Sequence, residues 1–219
     1  MRIAIIGSGQ VGGTLAKTWA RSGHQVTFGS RDPSSEHVAA LLQECGDACS
    51  ATNYREAAQW AEVIALATPW ASTQAAINAM GNLAGKIILD ATNPVKEDLS
   101  GLEVEGPSSG GQLVAQWASG AKVVKIFNST GSANMALPLY GGEALTLLYC
   151  GDDADAKRVA EQLANEVGFD PIDAGPLSNA HLLEALALLW ITLAVKQGYG
   201  TDFAFNFLKR PKRAFAHVR

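Results

Sequence analysis

The stretch Ile6-Gly7-Ser8-Gly9-Gln10-Val11-Gly12 sets the architecture of this chain. It follows an apolar, β-branched run, Arg2-Ile3-Ala4-Ile5-Ile6, and opens a segment with helical periodicity from Gly12 to Ser22. A glycine-rich turn joining a strand to a helix is the dinucleotide-binding fingerprint, and this context raises a weak motif to a strong one. Gly7 permits the tight turn, Gly9 lets the backbone approach a pyrophosphate, and Gly12 lets the helix pack close to the strand. Free N–H groups at the helix start, on the positive end of its dipole, favour the phosphates.

Outward from this turn, short β-branched runs alternate with longer helical patterns. Strands are expected at Ile3 to Ile6, Gln25 to Gly29, Ala48 to Ala51, Val63 to Ala67, Lys86 to Asp90, Lys122 to Phe127, Ala144 to Cys150 and Asp170 to Asp173. Helices are expected between them, near Ser35 to Glu44, Tyr54 to Trp60, Ser72 to Met80, Ser109 to Ala118 and Ala154 to Val167, and last from Asn179 to Lys196. This βαβα rhythm predicts an α/β protein with a Rossmann-type, doubly wound, mostly parallel sheet and a small C-terminal helical extension. Asn128 to Gly142, rich in Gly, Ser, Asn and Pro, reads as a functional or connecting loop with one helical turn.

The 219 residues are read as a single dinucleotide-binding unit. The sheet and its covering helices occupy 1–174, a C-terminal helix and closing segment 175–208, and a basic tail 209–219. Such a unit takes about 150 to 180 residues, so little chain remains for a separate substrate domain. The window Leu182 to Val195 contains Glu184 and falls short of the roughly 18 apolar residues of a membrane span. It reads as a buried helix, or as one that packs one face on the sheet and another on a partner chain in a homodimer. Phe203, Phe205, Phe207 and Leu208 are expected to close the fold as a strand or turn.

Charge and cysteine usage narrow the class. The net charge is −4, yet the last eleven residues hold Lys209, Arg210, Lys212, Arg213 and Arg219 and no acid, leaving 12 basic against 21 acidic residues in the rest. Basic residues gathered in a terminal run, rather than as a patch on the folded body, argue for a solvated tail and against a nucleic-acid partner. Cys45, Cys49 and Cys150 are odd in number and lack metal-ligand spacing. No disulfide framework or metal site is expected, and a reducing cytoplasm is the natural setting.

The coenzyme is read from the end of the second strand. An NAD site places Asp or Glu there for the ribose hydroxyls, whereas this chain has Thr27-Phe28-Gly29-Ser30-Arg31. A hydroxyl and a guanidinium suit a 2′-phosphate, so NADP(H) is preferred, with Asp32 the group that would serve a 2′-hydroxyl. Ligands of doubly wound sheets lie beyond the carboxyl ends of the strands. Thr68-Pro69-Trp70, Thr92-Asn93-Pro94 and Asn128-Ser129-Thr130 therefore become candidates for the nicotinamide half. Dehydrogenation of an alcohol needs a positioned acid or base. Neither Lys96, in a polar loop, nor His181, at a helix start, is a convincing one, and no catalytic side chain is assigned. Hydride transfer between two redox cofactors removes that need, because the cofactors carry the chemistry.

With Ser30-Arg31, Thr68-Pro69-Trp70, Cys150-Gly151-Asp152-Asp153, Asp173-Ala174-Gly175-Pro176-Leu177-Ser178-Asn179 and Leu182-Leu183-Glu184 in view, the chain resembles the NADPH-dependent coenzyme F-420 (F420) reductases from Met1 to about Leu208. Asp90-Ala91-Thr92-Asn93-Pro94 and Val124-Lys125-Ile126-Phe127-Asn128 are also similar to the cytosolic reductase domain of the six-transmembrane metalloreductases. The first resemblance implies hydride transfer between NADPH and a deazaflavin across a shared cleft. It implies Ser8, Ser30 and Arg31 on the 2′-phosphate, and Gly7, Gly9, Gln10, Val11 and Gly12 around the pyrophosphate. Thr68, Pro69 and Trp70 would approach the nicotinamide, while Ser178, Asn179 and the loop from Asn128 would line the acceptor side. Two departures stand out. Asp32 to Glu36 lacks the further basic residue that usually follows the Ser-Arg pair, and Asn128 stands where that family carries His. The second resemblance implies NADPH reducing a flavin, such as FMN. An imine or hydroxy-acid reductase and a non-catalytic NADP(H) sensor are the alternative readings of the same motifs.

Overall fold

The computed structural model describes residues 1–104, 106 and 108–210. Six strands follow the expected order: β1 Arg2–Ile6, β2 Gln25–Gly29, β3 Cys49–Thr52, β4 Val63–Leu66, β5 Ile87–Asp90 and β6 Lys122–Lys125. They pair in parallel in the order β3-β2-β1-β4-β5-β6, the doubly wound Rossmann arrangement with its reversal point between β1 and β4.

Alternation along β1 divides the core between two layers. Ile3 and Ile5 face one helical layer and Ala4 and Ile6 the other, all fully buried. The first layer holds α1 Gln10–Arg21, α2 Glu36–Cys45, a short α6 Ser132–Ala136 and α7 Ala154–Val167; the second holds α3 Tyr54–Trp60, α4 Trp70–Met80, α5 Gly110–Trp117 and α8 Ala180–Ile191. Ser35, Asn53, Ser109 and Asp153 cap α2, α3, α5 and α7, each accepting from the backbone N–H three residues on.

Several expectations are corrected in detail. The stretch read as one strand from Ala144 to Cys150 is broken at Leu145. Glu143–Ala144 (β8) turns back on Leu139–Tyr140 (β7) through Gly141 and Gly142, both at positive φ, while β9 Thr146–Gly151 joins the main sheet. β9 runs antiparallel to β6 and parallel to β10 Asp170–Asp173, so the last two strands oppose the other six. β6 stops short of Phe127, which turns out of the strand at φ 61°.

The last helical run starts two residues before the expected Asn179 and is not buried all round. A 3-10 turn at Leu177–Asn179, α8 and a π turn at Thr192–Lys196 form a 20-residue apolar run, long enough by length and composition alone to cross a membrane. One face, with Leu183, Glu184 and Ala187, packs inward, whereas Leu182, Leu189 and Val195 are exposed. The closing segment forms no strand. Its Phe203 ring stacks on Trp190 at 5.2 Å, the Phe203 carbonyl accepts from Trp190 Nε1 at 3.0 Å, and Phe207 N–H donates to Thr146 Oγ1 at 2.9 Å. The basic tail lies outside the described residues from residue 211 onward.

Candidate active site

The glycine turn departs from the other capped helix starts. Gly9 precedes α1 with no side chain to accept from the first turn, and the first helical bond is Gly13 N–H to Gly9 O at 2.8 Å. The N–H groups of Gln10, Val11 and Gly12 are therefore left to a ligand, as an anion site requires. Gly7 sits at φ 114°, and a Cβ there would lie 2.4 Å from the Ala67 carbonyl oxygen. A Cβ on Gly12 would lie 1.9 Å from Gly7 O, whereas one on Gly9 would meet no atom within 4 Å. Gly7 and Gly12 are thus demanded by the protein's own backbone, and Gly9 opens onto empty space.

That space is a groove of about 990 Å³ running over the carboxyl ends of β1, β2, β4 and β5. Ser8 and the α1 start form its middle. Ser30, Arg31, His37 and Tyr54 line one end, with Thr68, Pro69, Trp70 and Asn93 at the other, and Ser132 of α6 leans over Gln10 with a 3.1 Å side-chain hydrogen bond.

At the first end, Arg31 is exposed and carries no hydrogen bond or ion pair among the described residues. Asp32 is already engaged: its Oδ1 accepts from Ser34 N–H at 3.1 Å and from Ser34 Oγ at 2.7 Å, and it does not line the groove. The carboxylate that would serve a ribose diol is thus engaged outside the groove, while Arg31 is among the residues that line it. His37, which sequence reasoning left among the scattered histidines, joins Arg31 here.

At the second end, α4 begins at Trp70, two residues earlier than its periodicity indicated, because Pro69 is well suited to a helix start. Thr73 Oγ1 donates back to Pro69 O at 3.1 Å, and Trp70 rests against Trp117 with ring centroids 5.3 Å apart. Asn93 and Asn128 bridge the ends of β5 and β6. Asn93 Nδ2 donates to Asn128 O at 2.8 Å, and Asn128 Nδ2 donates to Asn93 Oδ1 at 3.0 Å. Asn128 Oδ1 is buried with no hydrogen-bond partner among the described residues. Ser178 and Asn179 are not brought to the groove: Asn179 Nδ2 instead donates to Ala174 O at 2.6 Å in the turn before α8.

Beneath this end lies a charged cluster that the sequence reading did not assign. The Lys125 ammonium, fully buried, donates to Asp90 Oδ2 at 3.0 Å and Thr92 O at 2.6 Å, and lies 2.9 Å from Glu184 Oε1. Its three N–H donors are matched by three acceptors. Glu184 also accepts the N–H groups of Gly110 (3.0 Å) and Gly111 (2.9 Å) at the start of α5, and Asp90 Oδ1 accepts from Thr92 N–H and Oγ1. Burial opposes the lysine charge most strongly, but Asp90 and then Glu184 outweigh it and hold the ammonium above its ordinary pKa. The cluster fixes the β5 loop that carries Asn93. A signal was present: Lys125 flanked by Val123-Val124 and Ile126-Phe127, and Glu184 in an apolar helix, are charges that burial permits only with partners.

This geometry can be set beside known proteins. The family model for coenzyme F420-dependent NADP oxidoreductases matches residues 2–94. The F420-dependent NADP reductase of Methanothermobacter marburgensis is 33% identical over 211 residues, which span 90% of this chain and 93% of that reductase. The chain belongs to the coenzyme F420-dependent NADP oxidoreductase family. Within that family's fold, an Arthrobacter sp. FB24 protein whose crystal structure was assigned as an F420-dependent NADP reductase superposes with a TM-score of 0.85 at 32% identity, covering 94% of this chain and 99% of that one. Metalloreductase STEAP3 of Rattus norvegicus is 29% identical over 95% of this chain, but the chain spans only 42% of its length. A reductive aminase from Aspergillus terreus, solved with NADPH, has a TM-score of 0.65 at 21% identity, with this chain covering 62% of it, a likeness of fold alone.

Proposed function

We infer that this member of the NADP oxidoreductase family transfers hydride between NADP(H) and a second planar redox cofactor, the deazaflavin F420 or a flavin such as FMN. The observation that carries the reading is the division of labour along the groove. Among the described lining residues, the titratable side chains Arg31, His37 and Tyr54 all stand at the ribose end. Among the described residues the nicotinamide end is walled by Thr68, Pro69, Trp70 and Asn93, with no side chain suited to general acid–base work. Such a wall suits direct hydride transfer between two rings, where holding the donor and acceptor carbons together is the main contribution of the protein.

In this reading Gly7 to Gly12 hold the pyrophosphate, and Ser8, Ser30 and Arg31 hold the 2′-phosphate. Trp70 and Pro69 flank the nicotinamide, and Asn93, held in place by the buried Asn128, faces the acceptor. Residues 1–219 act as a single NAD(P)-binding unit in a cytoplasmic setting. The exposed Leu182, Leu189 and Val195 side of α8 serves as a homodimer surface, which light scattering tests. Mixing the purified protein with NADPH and either oxidised F420 or FMN, and following the absorbance of both cofactors, tests the reaction. Turnover with one acceptor identifies it, and no turnover with either would sink the proposal.

A further inference from the structure

We propose that His37 is a coenzyme-specificity residue that supplies a second cationic contact to the 2′-phosphate of NADP(H), across the groove end from Arg31. The proposal rests on the NADP(H) reading above and adds to it a residue that the Asp32–Glu36 stretch does not contain. His37 is the second residue of α2 and lines the groove together with Ser8, Ser30 and Arg31.

Its ring is held in a defined state. His37 Nε2 lies 2.6 Å from the Ser8 carbonyl oxygen, and a carbonyl only accepts, so Nε2 carries a hydrogen. Nδ1 is then the nitrogen left for a ligand, and it has no partner among the described residues. The bond also ties the imidazole to the glycine turn itself, so the ring cannot swing away from the groove without breaking it.

The surroundings favour an anion there. Arg31 is the cationic residue of the β2–α2 loop, and Glu36 and Glu44 are the acids on the same helix. Lys17 of α1 and Glu44 line an adjoining recess with His37, and there they pair with each other. Asp32 is engaged by Ser34. No carboxylate lines this end of the groove among the described residues. A phosphate dianion bound between Arg31 and His37 favours the protonated ring, whose Nδ1–H then donates a charge-assisted hydrogen bond. A ribose 2′-hydroxyl offers no such charge, so the contact discriminates between the two coenzymes.

The test is binding of NADPH and NADH, and of the fragments 2′,5′-ADP and 5′-AMP, by calorimetry to the wild-type protein and to His37→Gln and His37→Arg. Glutamine keeps a neutral donor for the Ser8 carbonyl and removes the cation. In His37→Gln the affinity for NADPH and 2′,5′-ADP should fall by about tenfold, as expected for a lost charge-assisted contact. NADH and 5′-AMP should bind as before, and His37→Arg should retain the preference for NADPH. An equal loss for both coenzymes would assign His37 to shaping the glycine turn and overturn the proposal, as would no loss at all. A wild-type protein that prefers NADPH while His37→Gln keeps that preference removes His37 alone. A wild-type protein without the preference removes the NADP(H) reading and this inference with it.

Discussion

Glu184 of the last helix and Lys125 of β6 meet at 2.9 Å with both side chains buried, joining the C-terminal extension to the central sheet through a charge pair. The two carboxylates of Asp90 and Glu184 share this one ammonium, and the excess negative charge is offset by the N–H groups of Gly110 and Gly111 at the α5 start. The loop bearing Asn93 and the helix beside Trp70 therefore depend on one buried polar cluster for their placement.

Replacing Lys125 by Met should destabilise the protein by about 3–5 kcal/mol, because it leaves two buried carboxylates without their cation. Glu184→Gln should cost less, since the amide oxygen can still accept from Gly111 N–H and Lys125 and only the Gly110 N–H loses its acceptor. Urea unfolding midpoints of the two variants check the order, and equal losses would contradict it.

The same cluster sets an alkaline limit. Lys125 is held above its ordinary value of 10.5, so its contribution is fully present below that value and is lost as pH rises through the folded-state pKa. The difference in unfolding free energy between the wild type and Lys125→Met should be flat from about pH 7 to about pH 10 and shrink only above that. A difference that shrinks between neutral pH and pH 9 would overturn this assignment.

The two outer glycines of the turn and its middle one should respond differently to alanine. Gly12→Ala places a methyl 1.9 Å from Gly7 O and should lower stability by about 1–3 kcal/mol as well as abolish NADPH binding. Gly9→Ala meets no protein atom within 4 Å, and Gly9 has φ −74°, which alanine adopts freely. It should melt near the wild-type temperature yet bind NADPH weakly, because its methyl enters the open groove, the space that the proposed function gives to the pyrophosphate. Paired melting curves and binding isotherms separate the two effects.

Cysteine reactivity follows burial. Burial pushes the Cys150 thiol up to about 12, against the opposing pull of Lys125; burial and the neighbouring Cys45 push Cys49 to about 12. Near neutral pH both are thiols and poor nucleophiles, so both should resist iodoacetamide in the folded protein and react in urea. Peptide mass spectrometry before and after unfolding reads this directly.

Much of the fold was legible because it is written locally. The turn from Gly7 to Gly12 combines three glycines with an apolar strand and a helical period, and it was enough to identify a doubly wound sheet. Ser30 and Arg31, also adjacent in the chain, were the local signal from which a 2′-phosphate was expected. The reversal of β9 was not legible, since a buried apolar strand reads alike in either direction and only its pairing with β6 sets its sense. The hairpin Leu139–Ala144 left a trace in Gly141-Gly142, but that trace was absorbed into a long polar loop.

By itself the sequence determined the strand order's nucleus, the glycine geometry and the class of ligand, each set by residues adjacent in the chain. Tertiary structure alone decided that Asp90, Lys125 and Glu184 neutralise one another, that Asp32 is spent on Ser34, and that His37 reaches Ser8. These relations depend on distances across the sheet and between loops. Local periodicity carries no record of such distances, because packing, and not chain adjacency, sets the dielectric and the partners that each charge meets.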